Sequence, residues 1–307
     1  MCRFVAYHGS PISLDELLYK PEHSIIHQST HAFERDEPLN GDGWGVGWYT
    51  FQYQRDPALY RTVHPAWSDD NMRQISPAVR TPVFLSHVRA ASPGLAVQQL
   101  NCHPFQGGQD GREDETELSP MERGRRRLLF MHNGKIGGYR DIIRHLYRKL
   151  PDDLFFSVRG TTDSELAFAV LQDYLGQYVI DPSVDDFQRA MEDMLGYMNG
   201  LKTKLSREEE TTDANMCITD GKRMLATRYA HPDPQDAPSL YVATADRFYC
   251  DADGGFDTVN PEGRESVLVA SERLFEDERV WQRVPLDHAV RVHVDGTVSM
   301  EPLDVAG

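Results

Sequence analysis

The 307-residue sequence predicts an α+β fold in one undivided domain, residues 1–307. Three observations lead there: short apolar strand-like runs and helical runs are interspersed along the chain, no internal repeat is present, and no linker-like stretch separates two halves. Length by itself suggests about two domains, but a layered enzyme domain runs this long without a break. A hydrophobic fraction of 40% with 26% charged residues supports a sizeable core. The 32 Lys+Arg against 48 Asp+Glu leave a net charge of −16, which argues against nucleic acid as a partner, since phosphate contacts need clustered cations. No stretch approaches the roughly 18 uninterrupted apolar residues of a membrane span.

Residues 2–7 read as a first strand, and residues 14–19 as a short helix after Ser13, stopped at Pro21. Residues 43–51 (GWGVGWYTF) are apolar, aromatic and Gly-rich, as in a strand or hairpin that another group approaches closely. Residues 82–88 (PVFLSHV) and 127–132 (RLLFMH) are short apolar runs bounded by turn residues, the pattern of buried strands. From 139 to 150, Ile142, Ile143, Leu146, Tyr147 and Leu150 share one helical face, and Pro151 ends the helix. Thr162 and Glu165 make an S/T-x-x-E capping box opening DSELAFAVLQDYL, which puts Asp163 in the first turn. A third helix is predicted over 187–195. Strand-like runs follow at 215–219, 224–229, 240–243 and 266–270, and those at 290–294 and 297–300 flank the hairpin turn Asp295-Gly296. The charged stretches 107–127 and 206–214 read as exposed loops.

The four cysteines, Cys2, Cys102, Cys217 and Cys250, form no CxxC and are too few for a disulfide framework, so a reducing cytoplasm is expected. The opening MCRFVAYHGSPIS lacks the basic and long apolar regions of a secretory signal. Cys2 directly follows the initiator Met. Removal of Met before so small a residue is expected, and it makes Cys2 the N-terminal residue.

Taken alone, Cys2 is a thiol near the start of a strand. As a free N-terminal residue it carries nucleophile and base together, because an α-amine of pKa about 7.7–8.0 is poised to take the thiol proton. His132-Asn133-Gly134 follows a buried strand. The Asn-Gly pair is either a hairpin turn or, with the Asn133 side-chain N–H and the Gly134 backbone N–H aimed at one oxygen, an oxyanion hole. Arg89, at the end of the 82–88 strand, is a surface charge or a bidentate partner for a carboxylate. Asp163 is a helix-start residue favoured by the dipole or a carboxylate that binds an ammonium. Arg89 and Asp163 together suit the α-amino-acid end of a glutamyl group. The loop Gly41-Asp42-Gly43-Trp44-Gly45-Val46-Gly47 has Val46 where a dinucleotide loop needs its third Gly, and it lacks Gly-Lys-Ser/Thr. Cys102-His103 supplies no zinc spacing, and no metal or organic cofactor is expected.

MCRF, NGDGWGVGWY, SHVRAAS, NCHPF, FMHNGKI and GTTDSELAF occur in this order, followed by CITDGKRMLATRY and VLVASERLF. Together they resemble the class II glutamine amidotransferase family, whose members are N-terminal-nucleophile hydrolases. The similarity extends to the family's stand-alone branch, which includes the amidase subunit of a glutathione-degrading complex and an ergothioneine-pathway γ-glutamyl hydrolase. The resemblance implies a four-layer αββα sandwich of two mainly antiparallel sheets. It implies Cys2 as nucleophile after loss of Met1, Asn133 and Gly134 as oxyanion hole, Arg89 on the α-carboxylate of a glutamyl group and Asp163 on its α-amine. No Thr-His follows the arginine motif as it does in synthase-linked members. Ala90-Ala91-Ser92 stands there, and Ser92 is assigned a carboxylate contact.

The activity implied is cysteine-dependent hydrolysis of a γ-glutamyl amide through a thioester, with a small-molecule substrate and a peptidase or synthase as the partner subunit. Three alternatives within this reading stand open: an amidase for γ-glutamyl peptides or conjugates, a glutaminase feeding ammonia to a separate synthase, and a silent glutamyl-binding regulatory subunit. The absence of a synthase segment favours the first, and retention of Cys2, Arg89, Asn133 and Asp163 disfavours the last.

Overall fold

The computed structural model describes residues 2–34, 39–52, 54–91, 94, 96–108, 119–178, 181–235, 237–250, 256–260, 265–277 and 279–306. Among these residues the strands are β1 (Arg3–Ser13), β2 (Trp44–Trp48), β3 (Ala58–Thr62), β4 (Arg80–Val88), β5 (Phe105–Gln106), β6 (Leu129–Lys135), β7 (Thr212–Thr219), β8 (Met224–Arg228), β9 (Ala230–His231), β10 (Tyr241–Ala245), β11 (Arg247–Cys250), β12 (Phe256–Val259), β13 (Ser266–Ala270), β14 (Trp281–Arg283), β15 (His288–Val292) and β16 (Val298–Pro302). The helices are α1 (Asp15–Leu18), α2 (Ile25–Gln28), α3 (Asp70–Ile75), α4 (Pro120–Arg126), α5 (Tyr139–Lys149), α6 (Asp152–Ser157), α7 (Asp163–Tyr178) and α8 (Val184–Lys204).

One seven-stranded sheet runs β14-β10-β13-β1-β4-β2-β3, and the second runs β16-β15-β8-β7-β6-β5 with β9 beside β7. Pairing within both is antiparallel. Side-chain alternation sorts the apolar residues into three layers. Phe4, Ala6, Leu85, Leu129 and Met131 fill the space between the sheets. Val5, Tyr7, Phe84 and Leu268 face the short helices α1 and α2 through Leu17, Leu18, Ile25 and Ile26. Phe130, Met216, Ile218 and Leu225 face α5, α7 and α8. The result is the four-layer αββα sandwich, with a thin outer layer on one side and a thick one on the other. Because both faces of each sheet are covered, the central strands read as unbroken apolar runs, as PVFLSHV does.

α7 buries Leu166, Ala167, Phe168, Ala169, Val170 and Leu171 in succession, since α8, α5 and α6 enclose it against the second sheet. A helix apolar on all sides is one that is buried on all sides. Its cap differs in one respect from the expected box. Thr162 Oγ1 accepts from Glu165 N at 3.2 Å, but the Glu165 carboxylate reaches back to the N–H groups of Arg159 (3.0 Å) and Gly160 (2.6 Å).

Three other expectations change. The helix expected over 187–195 runs Val184–Lys204, because Met198 and Leu201 continue its buried face past Gly196. Within the stretch 107–127, residues 119–126 are not loop: Ser119 and Glu122 form a capping box for α4, while 109–118 lie outside the described residues. In the stretch 206–214, Thr212 to Ala214 begin β7 and are buried. Asp295-Gly296 does turn the β15–β16 hairpin, with His293 N–H donating to Thr297 O at 2.9 Å.

Candidate active site

At one end of the sandwich β1 begins, β4, β6 and β13 end, and α7 starts. The β1–β4 register pairs Phe4 with His87 and Arg3 with Val88, so the next residues outward, Cys2 and Arg89, lie side by side. Phe4 faces the inter-sheet layer, and alternation turns Cys2 and Arg89 to that same side. The Ala90 N–H donates to Cys2 Sγ at 3.4 Å, and the thiol points at Ala90 O at 3.6 Å. Burial pushes the half-buried Cys2 thiol above its ordinary value, and the Ala90 N–H, Arg89 and Arg3 pull against that shift. A thiol so held keeps its proton at neutral pH and needs a base to react.

Arg89 is only 3% exposed. Its guanidinium donates to main-chain oxygens of Asp42 (3.3 Å) and Ala96 (3.4 Å), and it forms no ion pair among the described residues. A buried cation with two long neutral contacts is costly until an anion joins it. The segment that carries it is clamped by Asp42, whose N–H donates to Arg89 O (3.0 Å) and whose Oδ2 accepts from Ala91 N (2.8 Å). Ser92, the remaining residue assigned to carboxylate binding, lies outside the described residues.

Asn133 and Gly134 sit on the facing sheet, inside β6 and paired with Asn215 and Ala214, so the Asn-Gly pair is not a hairpin turn. Gly134 has φ +151°, and a Cβ there would fall 1.9 Å from Asp213 O, so only glycine lets β6 pass β7 this closely. Asn133 shares the inter-sheet side with Leu129 and Met131. Its Nδ2 is 3.5 Å from Ser271 Oγ, and that hydroxyl accepts the Phe4 N–H at 3.0 Å. Asn133 Oδ1 is buried without a partner among the described residues. The Asn133 amide is thus held loosely, two hydrogen bonds from the residue that flanks Arg3.

Asp163 opens α7 and accepts from Ile136 N (2.9 Å), Ser164 N (2.8 Å) and Ser164 Oγ (3.3 Å). It lines a cleft of about 470 Å³ with Gly134, Ile136, Tyr139, Thr161 and Glu210. Cys2 and Arg89 do not line that cleft, so the predicted residues divide into a Cys2–Arg89 group at the ends of β1 and β4 and a Gly134–Asp163 group on β6 and α7, with Asn133 between them.

Three positions to which the sequence assigns no role complete the end of the sandwich: Asp42, His87 and Asn101. His87 Nε2 meets His132 O across the sheets, and Asn101 joins the loops behind Arg89 and before Asp163. All three fall inside the quoted motifs NGDG, SHVR and NCHPF, and that position was the only signal for them. His23, His27 and His31 recur at every fourth residue, with the His27 and His31 rings stacked at 5.0 Å. Among the described residues no group of three or more His, Cys, Asp or Glu has the geometry to hold a metal ion. No helix among them is long and apolar enough to cross a membrane.

A four-layer αββα sandwich with a thiol at the head of a central strand and an Asn-Gly pair on the facing sheet is the arrangement of the N-terminal-nucleophile hydrolases. Within that class, residues 25–303 match the class-II glutamine amidotransferases, and the chain belongs to that family of amide-acting enzymes. It is 30% identical over 321 residues to the Saccharomyces cerevisiae "Probable glutamine amidotransferase DUG3", covering 99% of this chain and 84% of that one. It is 24% identical over 305 residues to the γ-glutamyl-hercynylcysteine sulfoxide hydrolase of Mycolicibacterium smegmatis, covering 99% and 100%. Among solved structures, the glutamine aminotransferase class-II domain protein SPO2029 of Silicibacter pomeroyi superposes over the full length of both chains with a TM-score of 0.63 and 26% identity.

Proposed function

We propose that the chain hydrolyses the γ-amide of a γ-glutamyl compound, with Cys2 as nucleophile once Met1 is removed. The observation that carries the reading is the β1–β4 register, which sets Cys2 beside a buried arginine that has no carboxylate partner among the described residues. The Cys2 α-amine takes the thiol proton as sulfur attacks the γ-carbonyl. Asn133 Nδ2–H and Gly134 N–H stabilise the oxyanion, a contribution of about 10²–10³ in rate per donor. The tetrahedral intermediate collapses, the protonated α-amine gives its proton to the departing ammonia or amine, and a γ-glutamyl thioester remains. Water, deprotonated by the same amine, hydrolyses the thioester to glutamate and restores the thiol. Arg89, with Ser92, binds the α-carboxylate and Asp163 the α-ammonium.

The leaving group we favour is a peptide or conjugate amine. The Mycolicibacterium hydrolase, matched along its whole length, supports a chain that acts without a fused synthase. In this reading the chain is one amidotransferase domain, with any peptidase or synthase as a separate subunit. It works in a reducing cytoplasm, which suits four cysteines too few for a disulfide framework. The test is glutamate release from glutamine and γ-glutamylglycine by protein freed of Met1. Cys2→Ala should abolish release and keep the unfolding midpoint; undiminished turnover in that variant would overturn the mechanism.

A further inference from the structure

Asn101, at the turn between β4 and β5, is completely buried, and all four of its hydrogen-bonding positions are filled. Nδ2 donates to Ala96 O (3.0 Å) and Thr161 Oγ1 (3.1 Å), while Oδ1 accepts from Thr161 N (2.9 Å) and Gln98 Nε2 (3.1 Å). Ala96 O is also the acceptor for Arg89 Nη2. Thr161 stands two residues before Asp163, in a loop drawn so close that a Cβ on Gly160 would lie 2.6 Å from Asn101 Oδ1. Glu165 ties this loop to its own helix, and Asn101 ties it to the Arg89 side.

We infer that Asn101 is a positioning residue that fixes the separation of the two ends of the amino-acid clamp, Arg89 for the carboxylate and Asp163 for the ammonium. The inference rests on the roles proposed above for those two residues. Asn101 touches neither substrate nor nucleophile; it makes one rigid piece of two loops, the one between β4 and β5 and the one between α6 and α7. A clamp of fixed span selects an α-amino acid over a compound that presents one charge alone, because a buried polar group left unpaired costs more than its pairing gains.

The diazoketone analogue of glutamine, which alkylates an activated cysteine whatever the natural leaving group, tests this. Alkylation of Cys2 is followed by mass and rate in the Met1-free protein, in Asn101→Ala and in the milder Asn101→Ser. The expected result for Asn101→Ala is a half-saturating concentration raised about tenfold or more, the worth of one buried hydrogen bond, with the maximal rate within about twofold of wild type. Asn101→Ser should fall between. The wild-type preference for this reagent over its counterpart lacking the α-amine should shrink in both variants. If both keep wild-type half-saturation and preference and lose only unfolding stability, Asn101 is merely structural and the inference fails. If wild-type protein is not alkylated at Cys2, the reading of the nucleophile fails and takes the clamp with it.

Discussion

His87 Nε2 on β4 lies 3.2 Å from the main-chain oxygen of His132 on β6, so one imidazole spans the two sheets beside Arg89 on one side and Asn133 on the other. A carbonyl only accepts, so Nε2 carries the ring proton and Nδ1 is bare; Nδ1 has no partner among the described residues. His87→Phe removes the donor and leaves a buried carbonyl unpaired. His87→Gln keeps an amide N–H of similar reach. We expect kcat to fall about tenfold in the Phe variant, the worth of one buried hydrogen bond, and to recover in the Gln variant. Steady-state kinetics with γ-glutamylglycine decide; equal activity in all three proteins means the spacing of the sheets does not depend on this bond.

Acid should destabilise the protein through the same residue. Burial lowers the pKa of His87 to about 3, and it lowers those of His103 and His132 as well. In the unfolded chain a histidine titrates near 6.5, so below that value the unfolded state binds protons that the native state refuses. For His87 the stabilisation is therefore complete above about pH 6.5 and is lost as pH falls toward about 3, at up to roughly 1.4 kcal/mol per pH unit, and the other two histidines add in the same direction. His87→Gln removes one titrating group. Urea unfolding between pH 7 and 4 should show a shallower decline in the Gln variant, and parallel curves would count against the assignment.

The apolar runs showed where the sheets and long helices are, because burial on both faces leaves a continuous hydrophobic trace. Side-chain pairing across space left no such trace. The Gly-rich run 43–51 reads as a strand or hairpin that another group approaches closely. The structure supplies the groups: a Cβ on Gly43 would meet Cys102 Sγ at 2.6 Å, and one on Gly45 would meet His103 O at 2.5 Å. At Asn133-Gly134 the local preference of Asn-Gly for a turn yields to pairing with β7. Asp42 and Asn101 act through main-chain partners 49 and 60 residues away, a distance over which no periodicity carries information.

Asn133→Ala should separate stability from catalysis. The side chain holds no hydrogen bond shorter than the 3.5 Å contact to Ser271 among the described residues, and its Oδ1 is buried without a partner. Removing it therefore gives up little folding energy. If Nδ2 serves the oxyanion, kcat falls about 10²–10³, or roughly 2.7–4 kcal/mol of barrier, with KM nearly unchanged. The measurements are kcat, KM and the urea midpoint. A variant that unfolds early but turns over normally contradicts the assignment.

Glu272 should matter to both properties, by different routes. Its Oε1 lies 2.5 Å from Arg3 Nε with both side chains 3% exposed, and its two oxygens also accept the N–H groups of Phe33 and Glu34. Arg3 Nη1 in turn donates to Cys2 O at 2.9 Å, which fixes the residue that bears the nucleophile. Breaking one partner of such a buried pair strands a charge, so Glu272→Gln should cost about 3–5 kcal/mol of stability. Replacing both, Arg3→Met with Glu272→Leu, removes the stranded charge and should recover much of that loss. It does not restore the donor to Cys2 O, so turnover should stay low in the double variant while its unfolding midpoint rises above that of Glu272→Gln. Equal recovery of stability and turnover would mean that the pair holds the fold alone and leaves the nucleophile to other contacts.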